Sequence, residues 1–546
     1  MKLGKVLGVL ATCVLLATCL LATVDTHLFV YPSLSRYLFL ELGVIALTSI
    51  AMFVLVTGKG GIVINKIDIF VVLWMGYVIF YDLIVQPCEH YRVYYLCVTL
   101  LVVPVLGYLL RARLLTMTDV ENILLVAAVI HLLYILGQLT GIVESGNKYF
   151  QLTGCNENPT VAALFLVGCI PMLIARLARR NRRMLYAVVL LCAVSGIILL
   201  RCRTAYIGLA IEVVILLMVR YRNSLQQIVR QKFYAGLAVV AAIVMVAAIG
   251  HKLYDMKKDS ADGRLLIWKL SAAMVAERPM GYGYGLFEKN YNLRQADYFA
   301  NSESTATERR NADFVMMAYN DYLEQAVEGG IPGMLFLIAF YAVIILIAIR
   351  QRQWEATAVM SAFAVMSLFN FVYTSVLPWM LVLCYAAFVV SKAETLPLRT
   401  QSVCFATLFM SFPVIVLSWG VIRTTIAQLQ LKKFDEFYRN GSSVDDKRYA
   451  AIEDAIGTSE AFWTCRARNS MRAGRYADAL EYIGHARQYS SSPNLLAAAY
   501  KCLIHTGQSD VAISQLDTLS HMIPQKTSVR KFLLRQGYTR HKMDKR

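Results

Sequence analysis

Charged residues are scarce in this sequence: 16% of 546 positions, against 58% hydrophobic, with a mean hydropathy of +0.53. A chain this poor in charge is far more apolar than a soluble globular fold can bury, which excludes an ordinary soluble enzyme. Metal signatures are missing as well. No Cys-x-x-Cys and no Asp-x-Asp pair occurs anywhere, and most of the 12 cysteines lie in or beside apolar runs without pairing or metal spacing. Cys465 and Cys502 are read as buried thiols on repeat helices rather than a disulfide. The apolar runs show no internal repeat and no matched pair of interrupted helices, which argues against a transporter.

What fills the chain instead is a series of runs long enough to cross a ~30 Å hydrocarbon core. They begin near Val6, Tyr37, Ile67, Val93, Val120, Pro159, Met184, Thr204, Tyr234, Ile331, Glu355, Val376 and Ser402. The expected fold is all-α: a polytopic membrane helix bundle of about 13 spans. The Glu355 to Val390 stretch is divided at Tyr373 to Pro378, and Met1 to Ala22 is read as the first span rather than a cleaved signal. Lys and Arg fall in alternate connections: Lys59 and Lys66, Arg111 and Arg113, Arg176 to Arg183, Arg220 to Lys232, Arg350 and Arg352, Lys392 and Arg399. By the positive-inside rule these lie in the cytoplasm with the N-terminus, so the loop over 251–330 and the tail over 424–546 lie outside. The formal net charge of +18 follows from that bias and a basic tail, not from a nucleic-acid surface. The domain division is therefore membrane helices over 1–250, an outer loop over 251–330, membrane helices over 331–423, and an outer helical domain over 424–546.

The segment Asp262 to Gly333 carries two motifs: Gly263-Arg264, Trp268 and Pro279-x-Gly281-x-Gly283-x-Gly285-x-Phe287 with Tyr291, then Asn320-x-Tyr322-Leu323 and Glu328-x-Gly330-x-x-Gly333. Leu265 to Glu277 has helical spacing, with Trp268 one turn from Arg264, which suits a helix lying in the membrane interface. Pro279 ends that helix, and the Gly281, Gly283, Gly285 alternation lets backbone approach a ligand closely. No strand precedes it, so it is not a dinucleotide fingerprint. Arg201 and Arg203 occupy a short outer turn between spans, against the positive-inside bias. An anion is expected beside them, and a guanidinium matches phosphate oxygens with forked donors. Asn320, Glu324 and Glu328 fall at four-residue steps on one helical face, offering a carboxylate for proton transfer; Asp313, Asp321 and Asp25 beside His27 are further candidates. Glu212, Asp82 and His131 are intramembrane groups, buried neutral or paired, with a proton-pathway role as the alternative.

As an ordered set, Arg203-Thr204, Gly263-Arg264 with Trp268, the Pro-Gly-Gly-Phe pattern, the Asn-x-Tyr-Leu…Glu-x-Gly-x-x-Gly pattern and Thr153-Gly154-x-Asn156-x-Asn158-Pro159 resemble the bacterial O-antigen ligase and polymerase superfamily, over roughly Gly141 to Val390. The resemblance implies a GT-C-like membrane enzyme that takes a glycan from undecaprenyl diphosphate at the periplasmic face of the inner membrane, with no cofactor, metal or nucleotide sugar. It assigns Arg203 and Arg264 to the diphosphate, with Tyr319, Asn320 and Glu324 as further catalytic candidates. Arg201, Trp268, Gly281, Gly283, Gly285, Tyr291, Asn158 and Glu328 are substrate-binding candidates. One departure stands out: where these ligases usually carry His before the Asn of the second motif, this chain has Tyr319, a poor base but a competent hydrogen-bond donor.

The acceptor stays open between lipid A core, a second carrier-linked glycan and a protein side chain, with the ligase reaction preferred. A lipid-linked solute transporter and a non-catalytic scaffold are the rivals from other classes. In the tail, Gly474 and Gly507 are 33 residues apart, as are Ala479 and Ala512, and Gly474-Arg475-Tyr476-x-x-Ala479-Leu480 resembles the turn of a tetratricopeptide repeat. Such helices offer a concave face to a protein partner, in addition to the membrane lipids the spans contact.

Overall fold

A computed structural model describes residues 2–23, 26–57, 63–85, 88–178, 182–222, 258–301, 303–394, 396–397 and 400–524. The span expected from Tyr234, and Asp25, lie outside these residues. The chain is almost wholly helical, and the described residues include one two-residue antiparallel ladder, Val63–Ile64 with Leu396–Pro397. Among the described residues eight helices are long and apolar enough to cross a membrane, consistent with a polytopic all-α membrane protein.

In chain order the first helices are α1 (Lys2–Leu21), α2 (Leu34–Thr57), α3 (Lys66–Phe80, continued by a π-helical turn to Val85), α4 (His90–Leu100) and α5 (Val102–Arg111). Next come α6 (Met117–Leu139), α7 (Pro159–Leu177), α8 (Arg183–Leu199) and α9 (Arg203–Arg220). The central segment holds α10 (Lys258–Glu277), α11 (Phe287–Asn301), α12 (Ala306–Asn311) and α13 (Asp321–Glu328). Then follow α14 (Gly330–Arg350), α15 (Trp354–Met366), α16 (Val376–Ser391) and α17 (Thr400–Arg439).

Helix α16 is apolar on every side, and all but a few of its residues are buried, as expected of a helix enclosed by others. It packs on α5, α7 and α15 and forms the axis of the bundle. Around it Trp74 stacks on Phe336 at 6.0 Å and Phe340 meets Trp379 at 5.8 Å. The outer faces of α3, α8 and α14 leave Leu73, Leu191 and Leu335 more than half exposed, an apolar surface suited to lipid. The Glu355 to Val390 stretch divides, but the non-helical break runs from Ser367 to Ser375, mostly upstream of the expected Tyr373 to Pro378, and Pro378 lies in the first turn of α16. The short helices α8, α15 and α16 fall below the length at which composition alone marks a span, and α9 carries Arg203, Glu212 and Arg220.

Helix α10 does not present its apolar residues to a membrane interface. Leu266, Ile267, Leu270 and Met274 pack with Phe287, Tyr291, Phe299 and Val327 in a small core of their own. The physical reason is that α11 and α13 cover that face.

Helix α17 runs unbroken for 40 residues through Arg423. Beyond it lie α18 (Asp446–Ile456), α19 (Glu460–Arg472), α20 (Tyr476–Ala486), α21 (Pro493–His505) and α22 (Ser509–Met522). The pairs α19–α20 and α21–α22 are joined at Gly474 and Gly507, whose φ angles of 76° and 78° make the two turns alike. Cys465 and Cys502 are both buried and unbonded. Gln295 donates to the Met522 carbonyl at 2.7 Å, and Ala296 shares an apolar cluster with Leu496, Leu516 and Leu519, so α11 is fastened to the last helices.

Candidate active site

The α1–α2, α3–α4, α6–α7 and α15–α16 ends come together at one end of the bundle. There a cavity of about 670 Å³ opens. Its floor is Arg92, Glu324, Glu328 and the Phe371 to Leu377 stretch, its flank Arg36, Tyr37, Asn156 and Asn158, and its outer wall residues of α19, α20 and α21.

The floor is a compact charge network. Arg92 Nη2 donates to Glu324 Oε1 at 3.4 Å, with both side chains nearly buried. Glu324 Oε2 accepts the Ala318 amide at 2.8 Å, and Glu328 Oε1 accepts the Gly285 amide at 3.1 Å. Between the carboxyl groups stands the Tyr373 phenol, 3.2 Å from Glu324 Oε1 and 3.3 Å from Glu328 Oε2. A phenol owns one proton, so it serves one carboxylate at a time. The other contact is a hydrogen bond only when a carboxyl group donates to the phenol oxygen. The phenol thus bridges the two carboxyl groups. Burial, opposed by Arg92 and reinforced by the neighbouring Glu324 charge, raises Glu328 to about 7; Glu324 is also raised by burial, with Arg92 and the Ala318 amide pulling it back. Asn156 adds a buried Nδ2 with no hydrogen-bond partner among the described residues, a donor available to an oxygen-rich ligand in the cavity.

The glycine string brings this carboxylate into place. Gly281 has φ +86°, and a Cβ there would stand 2.5 Å from the Glu328 carbonyl oxygen and the Gly330 nitrogen. The Tyr282 and Gly283 amides donate to the Val327 and Glu328 carbonyls at 2.8 and 2.9 Å. The close approach of Gly281 and Gly283 is thus to the end of α13. At Gly285 the missing Cβ leaves room for Glu89 and Arg92.

A second constellation lies behind Phe371. Arg264 Nη1 donates to the Phe369 carbonyl at 2.6 Å, and its guanidinium lies 5.0 Å from the Tyr319 ring centre, which meets Phe371 at 5.8 Å. Burial lowers the Arg264 pKa; the Tyr319 phenol opposes that, and the nearby Arg203 charge adds to it. Tyr319 sits at φ 51°, a left-handed conformation that costs a non-glycine residue roughly 1–2 kcal/mol. Asn320 caps α13 by accepting the Leu323 amide at 3.0 Å, and Asp321 accepts the Val372 and Tyr373 amides at 3.0 and 3.3 Å. These bonds tie residues 318–321 to 369–373 as a partition between the arginine corner and the cavity floor.

Residues 188–338 match the model of the family described as O-antigen ligase. The match gives this stretch of the chain as an O-antigen ligase domain. A comparison with curated proteins finds no match. The ligase-matched segment runs from α8 into α14 and includes Arg203, Arg264, the glycine string, Tyr319, Glu324 and Glu328.

Glu324, Glu328 and Gly285 of the ligase-matched stretch, together with Asn158, line the cavity. Asn158 also caps α7, accepting the Thr160 amide at 2.9 Å. Arg264 and Arg203 share the corner, with Tyr319 between Arg264 and Phe371, while Arg201 stands on the same turn as Arg203 at φ 49°. Trp268 is turned to the Ala318 carbonyl at 3.1 Å, and Tyr291 is fully buried, its phenol on Gln295. Sequence reasoning passed over Arg92, Arg36 and Tyr373. A signal existed: Arg36 and Arg92 stand in the first turns of α2 and α4, at ends that the positive-inside rule assigns to the outer side, against the same charge bias that singled out Arg201 and Arg203.

Proposed function

We propose that this protein transfers a glycan from undecaprenyl diphosphate to an acceptor hydroxyl, with lipid A core as the preferred acceptor, at the periplasmic face of the bacterial inner membrane and without a metal ion. The observation that carries the reading is the pairing, in a chain with an O-antigen ligase domain over residues 188–338, of an arginine corner with a cavity floor of two carboxyl groups bridged by the Tyr373 phenol.

The chemistry divides between them. As the bond from the anomeric carbon to the diphosphate oxygen breaks, its electron pair moves to the diphosphate, and Arg264 and Arg203 stabilise the charge that develops. The acceptor oxygen forms the new bond to the anomeric carbon, and its proton passes to the carboxylate of Glu328. Glu324 and Arg92 hold Glu328 and Tyr373 in position, and a base with a pKa of about 7 is matched to neutral pH. This arrangement explains how the chain manages with Tyr319 where His is usual: the base comes from α13. Tyr319 carries the Arg264 guanidinium on its ring.

Reconstitution with carrier-linked glycan and rough lipopolysaccharide tests the reading. Glycan should move to lipid A core, and a chelator should leave the rate unchanged. Product formation lost in chelator, or none with any acceptor, overturns it.

A further inference from the structure

We infer that the C-terminal helices form the acceptor side of the active site and select a glycan acceptor; this rests on the transfer reaction proposed above. The same cavity that has Glu324 and Glu328 on its floor has Thr464, Arg468, Tyr489, Ser492 and Asn494 on its opposite wall. That wall is fixed to the catalytic segment at several independent points. Ser491 donates from its amide and hydroxyl to Glu288 at 3.1 and 2.9 Å, Lys289 donates to the Gln488 carbonyl at 3.0 Å, and Tyr31 donates to Glu460 at 2.8 Å. A domain tethered only as a spacer would not need bonds to the loop that carries the glycine string.

Geometry assigns the wall to the acceptor. The donor's diphosphate belongs at the arginine corner, behind Phe371 and on the far side of the 318–321 partition from α19–α21. An attacking hydroxyl must reach the anomeric carbon from the side away from the leaving group while its proton reaches Glu328. The molecule bearing it therefore rests against the wall opposite the floor. The wall's polar groups are hydroxyls, an amide and the Tyr489 phenol, with one guanidinium, Arg468, and one carboxylate, Glu460, which already accepts from Tyr31. Such groups suit a polyhydroxylated chain, which presents both donors and acceptors. A cavity of about 670 Å³ lies within the range that holds compact ligands, and it excludes a folded acceptor.

The test uses the full-length protein in detergent or proteoliposomes, with carrier-linked glycan as donor and rough lipopolysaccharide as acceptor. Asn494→Ala and Tyr489→Ala should each raise the acceptor KM about five- to tenfold, with kcat at saturating acceptor kept within about twofold. Asn494→Gln should recover part of the loss. Lys501→Ala, exposed on α21 and outside the cavity lining, controls for damage to the helices, and monodispersity on size exclusion reports folding. An acceptor KM equal to wild type in both variants overturns the inference while leaving the transfer reaction standing. So does a fall in kcat alone. A KM effect seen with a peptide acceptor but not with lipopolysaccharide overturns the choice of a glycan. No transfer by the wild-type protein with either acceptor overturns the underlying reaction and the inference with it.

Discussion

The arginine corner and the cavity floor differ in what surrounds their positive charge. At the corner Arg264 has a carbonyl and an aromatic ring for company, and the Arg203 charge nearby makes its own charge costlier to keep. At the floor Arg92 is met by Glu324, with Glu328 close by. A buried guanidinium met by a carbonyl and a ring, as Arg264 is, suits a bound anion, whereas a floor rich in carboxyl groups repels one and suits a neutral hydroxyl. Two arginine sites only a partition apart thus point to opposite ends of one reaction.

The largest effect should come from the corner. Arg264→Gln removes a donor aimed at the leaving diphosphate and should lower kcat by about 10²–10³-fold, with the protein still inserted in the membrane. Transfer assays on purified variant and wild type check this; a change below about threefold would break the contrast between the two regions.

Next is the floor. Glu328→Gln should lower transfer by about 10²-fold and flatten its pH dependence, since the wild-type rate should rise as pH passes through about 7 and the base loses its proton. The stability signature has the opposite sign. Between the ordinary carboxylate range and about 7 the folded chain keeps a proton that the unfolded chain has released, so wild-type stability falls as pH rises through that window. Thermal melting in detergent across this range should show the slope in wild type and not in the Gln variant.

A backbone change sharpens the link between motif and floor. Gly281→Ala forces a side chain into a left-handed position against the end of α13 and should cost about 1–3 kcal/mol, with activity falling further as Glu328 is displaced. Differential melting and transfer rate together separate the two effects. The smallest effect is expected at Tyr319→Phe, which keeps the ring under Arg264 and loses only the hydroxyl: transfer should stay within about threefold, against a much larger loss for Tyr319→Ala.

Much of this was legible in the sequence because membrane helices write themselves in apolar runs, and the Ser367 to Ser375 break lies in a stretch already read as divided. Asn320, placed with Glu324 and Glu328 on one helical face, proves to be the cap of α13, whereas Gly281 as a close-approach residue was readable from residue type and spacing. What glycine approaches was not: a sequence shows that backbone must come near something, and here that something is the Val327 to Gly330 backbone. Arg92 escaped notice because its partners, Glu324 and Tyr373, are distant in sequence and meet only when α4, α13 and the α15–α16 connection are assembled. The interfacial placement expected for α10 met a related obstacle, since Leu266, Ile267, Leu270 and Met274 are covered by α11 and α13.

Donor affinity measured on the two classes of variant tests the division most directly. Undecaprenyl diphosphate should bind Arg264→Gln at least tenfold more weakly than wild type, and Glu328→Gln about as tightly as wild type. Normal binding by Arg264→Gln, or loss of binding by Glu328→Gln alone, would contradict it.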